Sequence, residues 1–322
     1  MKEKSLARLH RRGFLFGCGQ RMVDAGDCLA LAVQERGGHY RIVWGHFGKM
    51  LPPKACREFS LALRWRAGRK PVWVPLLDRE AEMNMAIHSV DLETRDSRGH
   101  ALVATNQPES FIRTQVGKHV PTPSDDDRYV YDRMTVDAGC DHVLGAVARG
   151  CAADEAYRFW RHDVGVHSPH IGAIAIGLAN TALALLPDFG AHDSTARLIV
   201  LEKYQATYGC YFRGLRLHCA LRYESAQGER LHPGLLNLWH KTLRQDVGLQ
   251  EQGAGVVSDE QLDVRIVQSW PMEDKPPEID PMQIWNPWES NRLVWPDKAA
   301  RALLLEHLDL APVAFGLALQ GG

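Results

Sequence analysis

The chain has 322 residues, and 38 Lys and Arg against 39 Asp and Glu give a net charge of −1 with neutral histidines. This balance provides no electrostatic attraction to nucleic acid or to an anionic membrane surface, so we expect neither as a partner. Seven scattered cysteines include no Cys-x-x-Cys pair, which argues against a disulfide framework or a zinc ribbon and favours a reducing compartment. The charged N-terminus lacks a long apolar segment, and no apolar run reaches the roughly 20 residues of a spanning helix.

The N-terminal region predicts a β-meander that opens with an Asp-x-Gly turn. Residues 1–20 are rich in Arg and Gly and predict a tail. The turn at residues 24–26 is followed by an apolar run at residues 29–34, which is typical of a central strand. After two glycines at residues 37–38, apolar residues alternate along residues 40–44 and predict the next strand of a hairpin.

Residues 71–136 read as a separate piece of chain. A strand at residues 72–75 and a helix at residues 109–118 precede an acidic run at residues 124–127, and a strand follows at residues 129–134. The acidic run is either a solvated loop or a metal site, and the loop is favoured because its carboxylates point to water unless another element of the chain converges on them.

The second half of the chain repeats the design of the first. Strands at residues 198–201, 207–212 and 215–221 predict a second meander. Each meander is followed by helical stretches, so the pattern indicates a duplicated α/β domain. The remaining predicted elements are a strand at residues 143–147, an apolar buried helix within 171–186, a strand at 264–267, a helix at 299–308 and a final apolar element at 312–319.

Four short motifs occur in an order that points to a known family. They are Val23-Asp24-Ala25-Gly26, His119-Val120-Pro121 ahead of the acidic run, Ile284-Trp285-Asn286-Pro287-Trp288-Glu289, and the closing Phe315-Gly316-Leu317-Ala318-Leu319-Gln320-Gly321. In this order they resemble the type IV pilus assembly protein PilM family, and also the related cytoplasmic part of type II secretion protein L. The resemblance covers residues 21–321.

The resemblance implies an α/β chain with the actin-like ATPase fold, which consists of duplicated ribonuclease H-like domains, and a small inserted subdomain. It divides the chain into a tail at 1–20, a first half at 21–70 plus 137–196, an insert at 71–136 and a second half at 197–322.

In actin-like proteins two Asp-x-Gly turns hold the nucleotide phosphates and their metal. The resemblance assigns the first turn to Asp24 and Gly26, and Thr207 matches a threonine that follows the second turn. Backbone amides approach a phosphate only where side chains are absent. Tyr204 stands where the second turn has its glycine, and Trp270 stands where a glycine beside the adenosine is expected. We therefore expect a degenerate site with no cofactor and no enzymatic activity, and binding of ATP with Mg²⁺ is the alternative.

Two further groups of residues leave two interpretations each. His162, His167 and His170 are spaced closely enough for two of them to bind zinc, but three or four converging ligands are needed, and surface histidines are the favoured interpretation. The tryptophans of the stretch 285–295, Trp285, Trp288 and Trp295, belong either to the core or to a contact surface.

From the resemblance we expect a cytosolic scaffold of a type IV pilus-like or type II secretion-like machine. Its partner would be the cytoplasmic N-terminal tail of a bitopic inner-membrane protein, which would hold the chain peripherally at the inner membrane. The tail would add to a strand edge in the cleft between the first subdomain and the insert. Two alternatives remain: an actin-like ATPase with an altered nucleotide site, and a secretion-type relative truncated before its membrane span.

Overall fold

A computed structural model describes the backbone of residues 15–18, 28–48, 54, 57–58, 72–74, 82–91, 93–95, 101–103, 127–137, 140–149, 158, 161–162, 174–187, 195–203, 206–224, 234, 236, 239, 262–269, 283–295, 298–305, 308 and 311–320.

Within these residues the strands are β1 (Leu15–Cys18), β2 (Cys28–Arg36), β3 (His39–Gly48), β4 (Val72–Val74), β5 (Glu82–Asp91), β6 (Glu93–Arg95), β7 (Ala101–Val103), β8 (Asp127–Asp137), β9 (Cys140–Arg149), β10 (Ala196–Lys203), β11 (Ala206–Arg213), β12 (Arg216–Glu224), β13 (Leu262–Val267), β14 (Ile284–Trp285) and β15 (Leu293–Val294). The α-helices among these residues are α1 (Ile174–Leu185), α2 (Lys298–Leu305) and α3 (Ala311–Gln320), and Pro287–Glu289 form a 3₁₀ turn.

The first sheet has five strands in the order β15-β3-β2-β1-β4. The meander β1-β2-β3 is antiparallel, whereas β4 runs parallel to β1 and β15 runs parallel to β3. Gly37 and Gly38 join β2 to β3 with φ values of 63° and 80°, a conformation that glycine adopts without steric cost. The predicted hairpin is confirmed.

Strand β1 corrects the expectation that residues 1–20 are a tail. Leu15 and Phe16 pair with Val33 and Ala32 of β2, and β4 pairs on the other side of β1. Glycines and arginines surround this four-residue strand in the sequence, and such a composition is typical of a tail. The strand is held between β2, which follows it, and β4 at residues 72–74, so local composition gives no sign of it.

The second sheet has eight strands in the order β14-β13-β10-β11-β12-β5-β9-β8. Its antiparallel meander β10-β11-β12 repeats β1-β2-β3, and β13 runs parallel to β10 as β4 does to β1. The two meanders lie in separate sheets, so the duplicated actin-like arrangement expected from the sequence is confirmed.

Strands β5, β9 and β8 extend the second sheet beyond β12. The junction is formed where Ile87 and His88 of β5 pair with Ala220 and Cys219 of β12. Among the described strands, β8 lies at the end of this sheet, and β6 pairs with β7 in a two-stranded sheet. Strand β4, at the start of the predicted insert, lies in the first sheet. Strand β8 contains residue 136, where the predicted insert ends, and forms a hairpin with β9. The predicted division of the chain into subdomains stays a prediction.

Helices α1 and α3 join the two sheets. Helix α1 packs on β10 and β11, whereas α3 packs on β1 and β2, and the two helices contact each other. They approach so closely that a Cβ atom on Gly316 would overlap the carbonyl oxygen of Gly177. Beside this contact the side-chain amide of Asn180 donates to the carbonyl of Gly316 at 3.2 Å, and the hydroxyl of Thr181 donates to that of Pro312 at 2.5 Å. The halves therefore share one buried helix pair.

Strand β10 is buried on both faces of the second sheet. Leu198 and Val200 of β10 belong to one apolar cluster with Trp239, whereas Ile199 and Leu201 belong to the larger cluster that includes α1 and α3. This alternation follows from the two-residue period of a strand, and it explains why β10 reads as a continuous apolar run.

A buried charge pair lies at the start of β10. Arg197 is opposite Asp263 of β13, and its Nε donates to the carboxylate at 3.0 Å. Arg265 approaches the other oxygen of the same carboxylate at 2.8 Å. Asp263 thus neutralises guanidinium charge at the edge of the core, where an unpaired charge is costly.

No helix among the described residues is long and apolar enough to span a membrane.

Candidate functional site

The two residues assigned to the first phosphate turn fall in the connection between β1 and β2. Asp24 and Gly26 lie outside the described residues, so only the flanking strands are placed. Strand β1 ends at Cys18 and β2 begins at Cys28.

The second phosphate turn corresponds to the hairpin between β10 and β11. Lys203 pairs with Ala206, so only residues 204 and 205 remain for the turn. Thr207, the third sequence-predicted site residue, is 2% exposed and lies opposite Glu202. The six residues from 202 to 207 include no glycine. The sequence of this turn therefore lacks the glycine that leaves backbone amides open to a phosphate.

The ends of three parallel strands define the edge at which a nucleotide would contact the second half. β13 runs parallel to both β10 and β14, so the carboxyl ends of all three meet there. Gln268 follows β13, is buried, and its backbone N–H donates to the carbonyl of Trp285 at 2.9 Å. The edge brings Thr207 and Gln268 to the same end of the sheet, whereas Tyr204 and Trp270 lie outside the described residues.

The histidine-rich segment is described only at its start. His162 is exposed, and its backbone carbonyl accepts a 3.2 Å hydrogen bond from Arg57. His167, His170 and the acidic run at residues 124–127 lie outside the described residues. Among the residues that the structure does describe, no group of three His, Cys, Asp or Glu could hold a metal ion.

The C-terminal tryptophans form part of the core. Trp288 is 2% exposed, and its ring lies 6.1 Å from the ring of Phe315 and 6.2 Å from that of Trp295. Trp285 is also buried, and Trp295 packs against the same cluster. The alternative of a tryptophan contact surface is therefore wrong. The loop-like sequence around these residues hid the fact that the 3₁₀ turn directs Trp288 inward.

The segment 286–292 connects the two sheets, because β14 lies in the second sheet and β15 in the first. Asn286 caps its 3₁₀ turn by accepting a 3.0 Å hydrogen bond from the backbone N–H of Trp288. The Ser290 hydroxyl donates to the carbonyl of Leu185 at 2.9 Å, and Arg292 Nη1 donates to that of Ala184 at 3.0 Å. Sequence reasoning noticed the Asn-Pro step of this segment but not its bonds to α1.

Strand β8 provides a long open sheet edge. It has 11 residues, pairs with β9 on one side, and pairs with no described strand on the other. An edge of this kind presents a row of main-chain N–H and C=O groups to which an extended segment can add.

Comparison with known proteins gives fold-level similarity. No family model and no curated protein sequence matches the chain. The structure is similar to a chain of the PilM–PilN type IV pilus biogenesis complex, with a TM-score of 0.58 and 14% identity over 96% of this chain and 99% of that chain.

Two other solved structures are less similar. A Bacteroides thetaiotaomicron protein with an actin-like ATPase fold has a TM-score of 0.40 and 8% identity, over 72% of this chain and 78% of that one. An Aquifex aeolicus member of the Ppx/GppA family has a TM-score of 0.34 and 8% identity, over 79% of this chain and 66% of that one. Both scores are too low to add to the assignment. From its duplicated sheets and its match to the pilus complex, the chain has the actin-like fold and resembles PilM.

Proposed function

We propose that the protein is a cytosolic scaffold of a type IV pilus-like or type II secretion-like assembly machine. In this role it binds the cytoplasmic N-terminal tail of a bitopic inner-membrane protein and is held at the membrane through that partner. The observation that carries the proposal is the match to a chain of the PilM–PilN complex, which extends over 96% of this chain and 99% of that one. The match includes both halves and the strands between them.

The hairpin between β10 and β11 supports a scaffold rather than an enzyme. A turn of only residues 204 and 205, without glycine, gives a triphosphate and its metal no backbone cradle on the second half. Catalysis of phosphoryl transfer depends on positioning and on charge stabilisation from both sides of the nucleotide. We therefore assign no catalytic residue, and Asp24, Gly26 and Thr207 are vestiges of a nucleotide site.

The open edge of β8 supports a peptide partner. Main-chain hydrogen bonds to an edge strand supply affinity for an extended segment, and alternate side chains supply specificity. Because β8 is joined through β9 and β5 to β12, a tail bound there would extend a sheet already anchored in the second half.

Membrane fractionation tests the scaffold proposal. The full chain is expressed with, and without, candidate bitopic inner-membrane proteins from the same organism, and its distribution between membrane and soluble fractions is measured. We expect sedimentation with membranes only when the correct partner is present. A partner whose cytoplasmic tail has been deleted is the matched control and should leave the chain in the supernatant. Membrane association without any partner, or with the tail-less partner, would contradict the proposal.

A further inference from the structure

The segment that returns the chain to the first sheet is bonded to a helix that packs on the second sheet. Helix α1 lies between β9 and β10, both strands of the second sheet, and segment 286–292 leads from β14 in that sheet to β15 in the first. The two meet where Ser290 and Arg292 contact the last turn of α1. Connections between two halves of a protein commonly act as hinges, and relative motion of the halves is the default.

The bonds at this meeting point satisfy groups that would otherwise lack partners. The last carbonyls of a helix have no intrahelical donor. In α1 the backbone N–H of Leu186 still donates to Ala182 at 2.9 Å, whereas the carbonyls of Ala184 and Leu185 accept from Arg292 and Ser290. Opening the halves would return these carbonyls and the charged Arg292 donor to an unpaired state, which is costly in a partly buried site.

Segment 286–292 is also fixed to both sheets. On the first sheet the carbonyl of Arg292 accepts a 2.7 Å hydrogen bond from the N–H of Tyr40, and Leu293 pairs with the same residue. On the second sheet the carbonyl of Trp285 accepts from Gln268. Between these points Trp288 is buried against Phe315 of α3. The segment is therefore attached to the first sheet, to the second sheet, to α1 and to α3.

We propose that segment 286–292 is a latch that keeps the two halves in one relative orientation, so that the protein acts as a single rigid body. The hydrogen bonds of Ser290 and Arg292 to α1 hold the latch in place. They prevent the two halves from rotating about the glycine contact between α1 and α3. The inference rests on the contacts of the fold and is independent of the partner and of the nucleotide site.

The test is a distance measurement on the full chain. Spin labels are introduced through genetically encoded amino acids at Arg41, exposed on the first sheet, and at Gly234, exposed ahead of the Trp239 that packs on the second sheet. We expect the wild type to give one narrow distance distribution that Mg-ATP does not change. The double variant Ser290→Ala/Arg292→Met should give a broadened or two-component distribution. Arg301→Met is the matched control, because Arg301 lies over the ring of Trp295 and, among the contacts of the described residues, forms no hydrogen bond to α1; it should keep the narrow distribution.

Hydrogen exchange of the same proteins supplies a second readout. Loss of one of the two bonds in Ser290→Ala should speed exchange at the Leu186 amide by about tenfold, and Arg301→Met should not change it. Two distance populations in the wild type would overturn the latch. An unchanged distribution and unchanged exchange in the double variant would also overturn it. If the double variant fails to fold, the wild-type distribution and the exchange of Ser290→Ala decide the question.

Discussion

Gly177 and Gly316 meet between α1 and α3 at a separation that leaves no room for a side chain on either residue. A Cβ atom on Gly177 would lie 2.6 Å from the carbonyl oxygen of Val313, which is backbone and cannot rotate away. Because α1 packs on the second sheet and α3 on the first, this contact sets the distance between the two halves.

Substitution of Gly316 by Ala should therefore be strongly destabilising. The added methyl group forces the helices apart, and we expect the free energy of unfolding to fall by about 3 kcal/mol. Urea unfolding followed by circular dichroism measures the change. The control is Ala302→Leu, which enlarges an exposed residue of α2 and should change the stability by less than about 0.5 kcal/mol. A Gly316→Ala protein as stable as the control would show that the helices are not in backbone contact.

Asp263→Asn should destabilise the protein by removing the negative charge between Arg197 and Arg265. The side chain of Arg197 is only 6% exposed, and a guanidinium left there without its carboxylate should cost about 2 kcal/mol of unfolding free energy. The comparison pair is Lys54 and Glu58, which approach to 4.0 Å on the surface with side chains 90% and 67% exposed. Glu58→Gln should change the stability by no more than about 0.5 kcal/mol. If Asp263→Asn and Glu58→Gln changed the unfolding free energy by the same amount, the pair of Arg197 and Asp263 would be as accessible to water as the surface pair.

Mg-ATP should neither raise the melting temperature of the protein nor release measurable heat in calorimetry. The reason is the two-residue turn after Lys203, where Tyr204 and Gln205 stand in place of glycine. Asp24→Ala should behave as the wild type in both measurements. A micromolar or tighter dissociation constant that Asp24→Ala abolishes would establish the alternative, an actin-like ATP-binding protein.

Proline substitutions in β8 should distinguish the role of its outer edge, to which a peptide strand would add, from that of its inner edge, which pairs with β9. Successive residues of an edge strand direct their N–H groups alternately towards the neighbouring strand and away from it, so Val130 and Tyr131 have opposite roles. Proline at the residue with the outward N–H should block addition of a peptide strand and keep the melting temperature. Proline at the other residue should break the ladder to β9 and lower the melting temperature. Unchanged peptide binding in both variants would exclude the β8 edge as the docking site.

The structure also changes how deletion of residues 71–136 should be interpreted. If the partner docks in the cleft beside the predicted insert, deletion of the insert should abolish partner binding, whereas Asp24→Ala should not. However, β4 completes the first sheet beside β1, and β8 is the hairpin partner of β9. The deletion would damage both sheets, so the proline variants are the sharper test of docking.

The elements with strong local signals could be predicted from the sequence. The alternating residues of β3 and β12, the glycine turn at Gly37 and the apolar run of α1 are properties of adjacent residues, and the structure has each element where the pattern indicates it. These elements indicate a duplicated α/β domain, and the resemblance of the four ordered motifs to the PilM family implies the actin-like fold.

The features that depend on distant pairing could not be predicted in this way. Strand β1 is stabilised by partners in β2 and β4, and the junction of β5 with β12 joins residues more than a hundred positions apart. The bonds from Ser290 and Arg292 to α1 are likewise visible only after folding, because nothing in the residues around Asn286 indicates which helix they reach.

Isothermal titration calorimetry of the full chain tests the central claim most directly. The titrants are synthetic peptides that cover the cytoplasmic N-terminal tails of candidate bitopic inner-membrane proteins from the same organism, with scrambled peptides as controls. The account predicts that one tail binds with a micromolar dissociation constant, that its scrambled version does not bind, and that Mg-ATP and Asp24→Ala leave the constant unchanged. Absence of binding by every tail to the folded chain, or binding that requires Mg-ATP, would contradict it.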